Sequence, residues 1–390
     1  MISQCSVVLC LFLVAASVAY PNELPIVENG SRVGTVRYGA SQSGAPDQAA
    51  YILQVQESVL AARRSLAAMD WPLAKQPRGF VIEVADLGPD RLGLTTIDGR
   101  VRVTTRERLA DPDEDFRPRL KATVAHEYFH LCQYACWSQL AGAQEPQYLW
   151  WMEACAIYFE HRVAPCDAKT GRKLLTYEDA VPDARGAHGR DGLESASGGS
   201  NLGYCYAPLA FLLARGYGPS FLSRTWLRLA SMPPGATAVR AIEATLAEDG
   251  AGPERSHFAH VYREYVLFLM SPQSRFVRDE LGLDVLQVES LAESRTDLEL
   301  ALPGWSFRVF RAPAADTLGA RVSGPDSLRA YLVGVDGDDE TIQRLDGTEL
   351  QISRGGPAKT SPGWLVVVNA APGDQRAHIT LKMSTSLAAN

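Results

Sequence analysis

The stretch Ala125-His126-Glu127-Tyr128-Phe129-His130-Leu131-Cys132-Gln133 carries the reading of this chain. Proline favours a helix start, so Pro118 predicts a long helix from that point to about Gln139. Residues four apart lie above one another on one helix face, so both imidazoles, His126 and His130, reach a single ion. Thr123, Val124, Tyr128 and Phe129 make the helix largely buried, which does not suit an exposed, metal-free run of histidines. Three ionisable groups on a buried helix cost several kcal/mol unless compensated, and a metal compensates them directly. The expected ion is zinc. It brings the pKa of a water toward neutrality, with Glu127 beside it as the general base.

Zinc needs a third protein ligand. Trp150-Trp151-Met152-Glu153-Ala154-Cys155-Ala156 sets one carboxylate in an apolar run, on a second helix predicted over Tyr148–Arg162. Gly142 and Pro146 let the chain turn back so that the two helices lie antiparallel and Glu153 faces the imidazoles. Glu160 and His161 are rivals about two turns further on. Glu160 is expected as a solvated helix-end charge, with a hydrogen bond to a ligand histidine from behind as its alternative role. Cys132 and Cys155 each fall two residues past a ligand position, which points them about 200° from the metal face. Gln133 and Tyr134 project near the histidine face and are expected to line the cleft. For an oxyanion donor the candidates are Tyr204 or Tyr206, with His188, His257 and His260 as competitors. No Gly-x-Ser-x-Gly elbow, Gly-x-Gly-x-x-Gly turn or phosphate loop is present.

The 390 residues suffice for two domains, and the net charge of −7 argues against a nucleic-acid partner. Val7–Val18 is almost entirely apolar and Ser17-Val18-Ala19 offers small residues for cleavage. Residues 1–19 therefore read as a signal peptide, and the expected location is secreted or periplasmic. No later stretch is long and apolar enough for a membrane span. Removing Cys5 and Cys10 leaves Cys132, Cys136, Cys155, Cys166 and Cys205, an odd set. Cys166 with Cys205 is the favoured disulfide, and buried free thiols are the alternative.

The expected fold class is α+β. A helix over Pro46–Ala68, a strand over Gly79–Val84 and a hairpin over Leu94–Thr105 turning at Asp98-Gly99 precede the motif helix. Residues 164–203 read as a long mobile loop rich in Gly, Ser and Asp. Helices follow over Tyr204–Ala214, Ser220–Ala230, Ala236–Ala247 and His257–Met270. Short β-type runs then recur at Trp305–Arg311, Gly319–Val322, Leu328–Val335, Trp364–Asn369 and Arg376–Met383. They predict a small antiparallel β-sandwich. The expected division is a mainly helical catalytic domain with a small sheet over 20–287 and a β-sandwich domain over 288–390.

The two motifs together, His126-Glu127-x-Phe129-His130-x-x-Gln133 and Trp150-x-x-Glu153-Ala154-x-Ala156-x-x-x-Glu160, resemble the gluzincin metallopeptidases. They look closest to secreted bacterial proteins with HExFHxxQ and a downstream WxxEGxAxxxE. The resemblance implies His126, His130 and Glu153 as zinc ligands, Glu127 as catalytic base and Tyr204 as the catalytic tyrosine preceding the helix that ends near Gly218. It also implies that Val101–Thr105 is the edge strand along which an extended peptide lies. Ala154-Cys155 departs from the usual Gly-Thr after the third ligand.

The expected function is zinc-dependent hydrolysis of a peptide or protein substrate, with Glu127 as base and then proton donor. Two alternatives differ in class. One is a catalytically silent, zinc-stapled binding or adhesion protein; the other is a zinc hydrolase of a non-peptide bond.

Overall fold

The structure is a computed structural model that describes residues 22–39, 46–72, 76–89, 91–96, 98–110, 115–136, 146–165, 192–193, 203–233, 235–250, 257–270, 288–290, 297–311, 317–323, 328–336, 339–345, 350–353, 364–371 and 377–385. The expected signal at 1–19, Cys166, His188 and most of the expected loop at 164–203 lie outside them. The chain is mixed α+β, as the order of predicted elements implies.

A hairpin that periodicity overlooks opens the chain: β1 (Asn22–Glu28) pairs antiparallel with β2 (Ser31–Tyr38). Asn29 and Gly30 both take positive φ, 51° and 77°, the conformation a two-residue hairpin turn requires. Helix α1 (Pro46–Ala67) then crosses back so that β3 (Phe80–Val84) lies parallel to β2. Such a parallel return needs a crossover of about this length. Next come β4 (Gly93–Thr95) and β5 (Arg100–Val103), a tight antiparallel hairpin with Gly99 at φ 81°. The sheet order is β1-β2-β3-β5-β4. The strand at Val101–Thr105 is therefore interior rather than the edge. Because β5 pairs parallel with β3, its hairpin partner β4 is pushed to the outside and is the edge strand among the described residues.

Phe80, Ile82 and Val84 alternate inward along β3, and Val101 and Val103 do the same on β5. Beyond the short α2 (Arg106–Leu109), this apolar face meets α3 (Arg117–Cys136). Every residue of α3 from Ala122 to Gln133 is buried. The helix has the sheet and α1 on one side and α4 (Pro146–Val163) on the other. Phe80 meets Tyr128 at 5.3 Å between ring centroids, while Phe129 stacks on Phe159 of α4 at 4.9 Å. Among the described residues four further helices complete the helical layer: α5 (Ala207–Tyr217), α6 (Ser220–Ser231), α7 (Ala238–Glu248) and α8 (Phe258–Met270). No helix among the described residues is long and apolar enough to cross a membrane.

From residue 288 onward every described regular element is a strand. In order these are β6 (Val288–Ser290), β7 (Asp297–Leu302), β8 (Ser306–Arg311), β9 (Thr317–Ser323), β10 (Leu328–Asp336), β11 (Asp339–Leu345), β12 (Leu350–Ser353), β13 (Trp364–Asn369) and β14 (Ala377–Thr385). They form a five-stranded sheet, β11-β10-β13-β8-β6, and a four-stranded antiparallel sheet, β12-β9-β14-β7. The only parallel pair in the larger sheet, among the described residues, is β6 with β8. Trp305, Phe307, Val309, Val333, Val366 and Val368 join the apolar core of the helical region without a break.

One buried cation ties the first elements together. Arg63 of α1, 3% exposed, donates to Glu28 Oε2 at 2.9 and 2.8 Å, to Pro77 O at 3.2 Å and to the Tyr128 hydroxyl at 2.7 Å. It thus joins β1, α1 and the motif helix. Removing one partner of a buried charge pair leaves the other uncompensated. Glu28 is partly open to solvent, which moderates the loss. Arg63→Met is expected to lower the unfolding free energy by about 2–4 kcal/mol, read from the midpoint of a denaturant titration.

Candidate metal centre

The site is built where α3 and α4 cross. Gln133 meets Met152, and His126 meets Glu160, so ascending α4 descends α3 and the two helices are antiparallel. Two turns separate Glu153 from Glu160, which places both carboxylates on the face turned toward the histidines. His126 Nε2 lies 3.0 Å from His130 Nε2 and 3.2 Å from Glu153 Oε2, and His130 Nε2 lies 3.3 Å from the same oxygen. Three donors thus form a nearly equilateral triangle. A tetrahedral ion with bonds of about 2.0–2.1 Å needs its ligand atoms about 3.3 Å apart. The residues present fit a small divalent metal ion.

Each histidine has a partner behind it. Gln133, fully buried, sets Oε1 2.8 Å from His130 Nδ1 and donates its amide N–H to Met152 O at 3.2 Å. Met152 O only accepts, which fixes the orientation of the Gln133 amide. Its oxygen then requires a proton on Nδ1 of His130, and the Nε2 lone pair is left for the metal. Gln133 is accordingly not a cleft residue. It sits behind His130 because three residues carry it slightly less than a full turn, toward α4. Glu160 is likewise no solvated helix-end charge: it is 2% exposed, with Oε2 3.6 Å from His126 Nδ1. The end of α4 is covered, and that covering is not visible in local sequence.

Glu127 is buried against strand β4. Thr95 Oγ1 on β4 donates to Glu127 Oε2 at 2.6 Å and also lies 2.9 Å from Glu127 O. Gly93, on the same strand, leaves the space that the Glu127 side chain fills; a Cβ there would collide with its carboxylate. Gly203 does the same for Glu153, since a Cβ on it would strike the Glu153 side chain and the carbonyl of Trp150. Next to Gly203, the Tyr204 ring lies 6.2 Å from the His126 ring, close enough to Glu153 for its charge to act on the phenol. Tyr134 is partly buried near both Glu153 and Glu127, and burial together with their charge pushes its phenol up to about 12.

The remaining candidates lie elsewhere. Tyr206 is buried with its hydroxyl 3.3 Å from that of Tyr262, His161 packs on Phe211, His260 pairs with Glu264 at 2.9 Å, and His257 is exposed. Cys132 faces Tyr128 and Cys155 faces Trp226, both away from the triangle as helical geometry requires. The expected Cys166–Cys205 pairing lies outside the described residues.

Without a metal, protons supply the compensating charge. Burial disfavours the imidazolium of His126, yet hydrogen bonds to Glu153 and Glu160 outweigh it and raise the group to about 10. Burial would raise Glu153, but the two histidines hold it well below the carboxylate range. Glu127 is raised by burial, with the histidines and Thr95 opposing. Burial also raises the Tyr204 phenol, and the surrounding carboxylates add to it.

No protein-family model matches the chain, and no curated protein matches it. Among solved structures, a periplasmic inhibitor of g-type lysozyme from Aeromonas hydrophila, PliG, is similar to 25% of this chain over 98% of its own length, with 18% identity and a TM-score of 0.19. A likeness at that level bears on neither fold nor activity.

Two outcomes are expected from this geometry. Gln133→Met removes both hydrogen bonds at nearly constant volume and should weaken metal affinity about 10–100-fold, measured by chelator competition. Metal must also displace the His126 proton. Uptake near neutral pH should release about one proton, and affinity should rise with pH up to about 10; calorimetry in buffers of different ionisation heat reads both. The same groups set the stability of the metal-free protein. The raised His126 contributes fully below its ordinary 6.5 and loses that as pH rises through about 10, whereas the lowered Glu153 contributes above 4.5 and loses that in acid.

Proposed function

We propose that this chain is a zinc-dependent peptidase of the gluzincin type, exported from the cell. The observation that carries the reading is the triangle of His126, His130 and Glu153 with Glu127 beside it, held by Thr95 of strand β4. Two imidazoles and one carboxylate are the ligand set of the thermolysin kind of hydrolytic zinc site. When bound, zinc supplies the Lewis acid that polarises a scissile carbonyl and acidifies a water.

The chain's own residues do the rest. Thr95 fixes the Glu127 carboxylate, which takes a proton from the water and later passes it to the leaving amine. Burial raises Glu127, which makes it a better base than a solvated carboxylate. The Tyr204 phenol, kept protonated by its surroundings, donates to the oxygen on which charge develops. An extended peptide suits this cleft because β4 is a sheet edge: its free backbone groups pair with substrate one strand away from Glu127. That edge favours a peptide over a non-peptide bond.

In this reading residues 1–19 are a cleaved signal, 20–287 form the catalytic domain, and 288–390 form a second domain whose two sheets pack as a β-sandwich. The mature protein works in the periplasm or outside the cell, with peptides or proteins as substrates.

The experiment uses the purified full-length mature chain. Wild type should carry about one zinc per molecule, and His126→Ala close to none. Glu127→Gln should keep its zinc and lose at least about a thousandfold in hydrolysis of a mixed peptide library. A metal-free wild type would sink the proposal. A zinc-loaded wild type that cleaves nothing in the library would favour the zinc-stapled binding protein instead.

A further inference from the structure

We propose that the C-terminal β region is a working part of the metal site: the turn Pro303–Trp305, acting through Tyr262 and Tyr206, holds the Gly203-Tyr204 step against Glu153 and His126. The inference rests on the metal-site reading and gives the second region a role in it.

The argument starts at the turn. Trp305 takes a left-handed φ of 52°, a conformation that side-chain-bearing residues adopt only where surroundings enforce it. Strand β13 enforces it: buried Asn369 donates to Leu302 O and Pro303 O, both at 3.0 Å, and Ser306 Oγ adds a bond to Pro303 O at 2.5 Å. So held, the turn drives Trp305 into the helical layer, 2% exposed, edge-on to Phe258 at 4.9 Å and to Tyr262 at 5.7 Å.

The Trp305 carbonyl then collects two donors from the helical region. Tyr262 OH reaches it at 2.7 Å and Leu193 N at 3.1 Å, while Gly192 lies so close to Gly304 O that no Cβ would fit. Because that carbonyl only accepts, the Tyr262 proton is committed to it. Tyr206 OH, 3.3 Å from Tyr262 OH, is therefore the donor in that pair, and the direction of the relay is fixed. Both tyrosines are fully buried, so no exposed solvent replaces a lost bond.

Tyr206 is the last residue before α5, and its N–H bonds Gly203 O at 3.2 Å in a single turn that contains Tyr204. Its ring also packs on Trp150, one turn before Glu153 on α4. Gly203 has no room to shift toward Glu153 or Trp150 O. The position of Tyr204 is thus set from two sides, by α4 and by the hydroxyl chain that ends on the β region. In the chemistry proposed above, Tyr204 lies beside the ligand His126 and donates its proton to the reacting oxygen; Tyr206, Tyr262 and Trp305 are positioning residues.

The test uses the full chain and two variants outside the metal site. Tyr262→Phe deletes the hydroxyl and keeps the ring; Asn369→Ala loosens the turn at its base and leaves the helices untouched. Hydrogen exchange in a peptide spanning 203–209 should quicken about tenfold in either variant, with metal absent or present. Zinc release to a chelator should quicken about 3–10-fold, the range for losing one or two ordinary hydrogen bonds. A double-mutant cycle separates positioning from simple loosening. With Tyr204→Phe already in place, Tyr262→Phe should change zinc release by less than about twofold. Unchanged exchange at 203–209 in both variants overturns the hold on this segment. Faster exchange with unchanged zinc release, or effects that multiply in the cycle, overturns the coupling to the metal. A wild type that takes up no zinc removes the metal reading and the coupling with it, while the exchange arm still decides whether the turn holds Tyr204.

Discussion

Burying five ionisable side chains between two helices is the constraint around which the helical half is arranged. His126, His130, Glu127, Glu153 and Glu160 all lie within the α3–α4 contact, none more than slightly exposed. Transfer of any one of them from water, charged and alone, costs more than a domain of this size can absorb. They coexist because each carboxylate faces an imidazole or a hydroxyl, and because the cluster can take up positive charge, as a proton on His126 or as a metal ion. Neighbouring elements serve that arrangement. The sheet supplies Thr95 for Glu127, Gln133 fixes the His130 tautomer, and Arg63 clamps the motif helix from the opposite side.

The motif helix and its partner were legible because period and chemistry agree there. His126 and His130 share a face, Glu153 stands in an apolar run, and the boundaries at Pro118 and Tyr148 fall within two residues of those observed. The same periodicity excluded Cys132 and Cys155 correctly. Glu160 escaped it: the end of α4 looks polar locally, and only the tertiary cover makes it buried. Gln133 escaped for a related reason, since helical angle says which way a side chain leaves but not what neighbour waits there.

Strand order was the least visible feature. Nothing local distinguishes β5 as interior and β4 as edge, because that depends on which strand β3 selects as its parallel neighbour. The hairpin of β1 and β2 did leave a signal, Asn29-Gly30, but its strands carry Pro25, Glu23 and Arg37 where an alternating apolar pattern would be sought. Glu23 and Pro25 lie on the exposed face of β1, where a sheet edge tolerates them, and their presence hides the hairpin from periodicity. Of the C-terminal strands that went unread, β6 and β12 are short and β11 is mostly polar, whereas β7 does carry a period-two pattern in Leu298, Leu300 and Leu302.

Gly93 and Gly203 suggest how distant kin of this chain are to be recognised. Neither touches a metal or a proton, yet each is the void into which a working carboxylate fits, one for Glu127 and one for Glu153. A methyl group at either place would evict the carboxylate as surely as mutating the carboxylate itself. The signature worth searching for is therefore longer than five letters: a glycine two residues before a threonine on a short strand, the two histidines with their glutamate and trailing glutamine, the paired carboxylates seven apart, and a Gly-Tyr step afterwards. Drift should spare the hollow positions along with the filled ones.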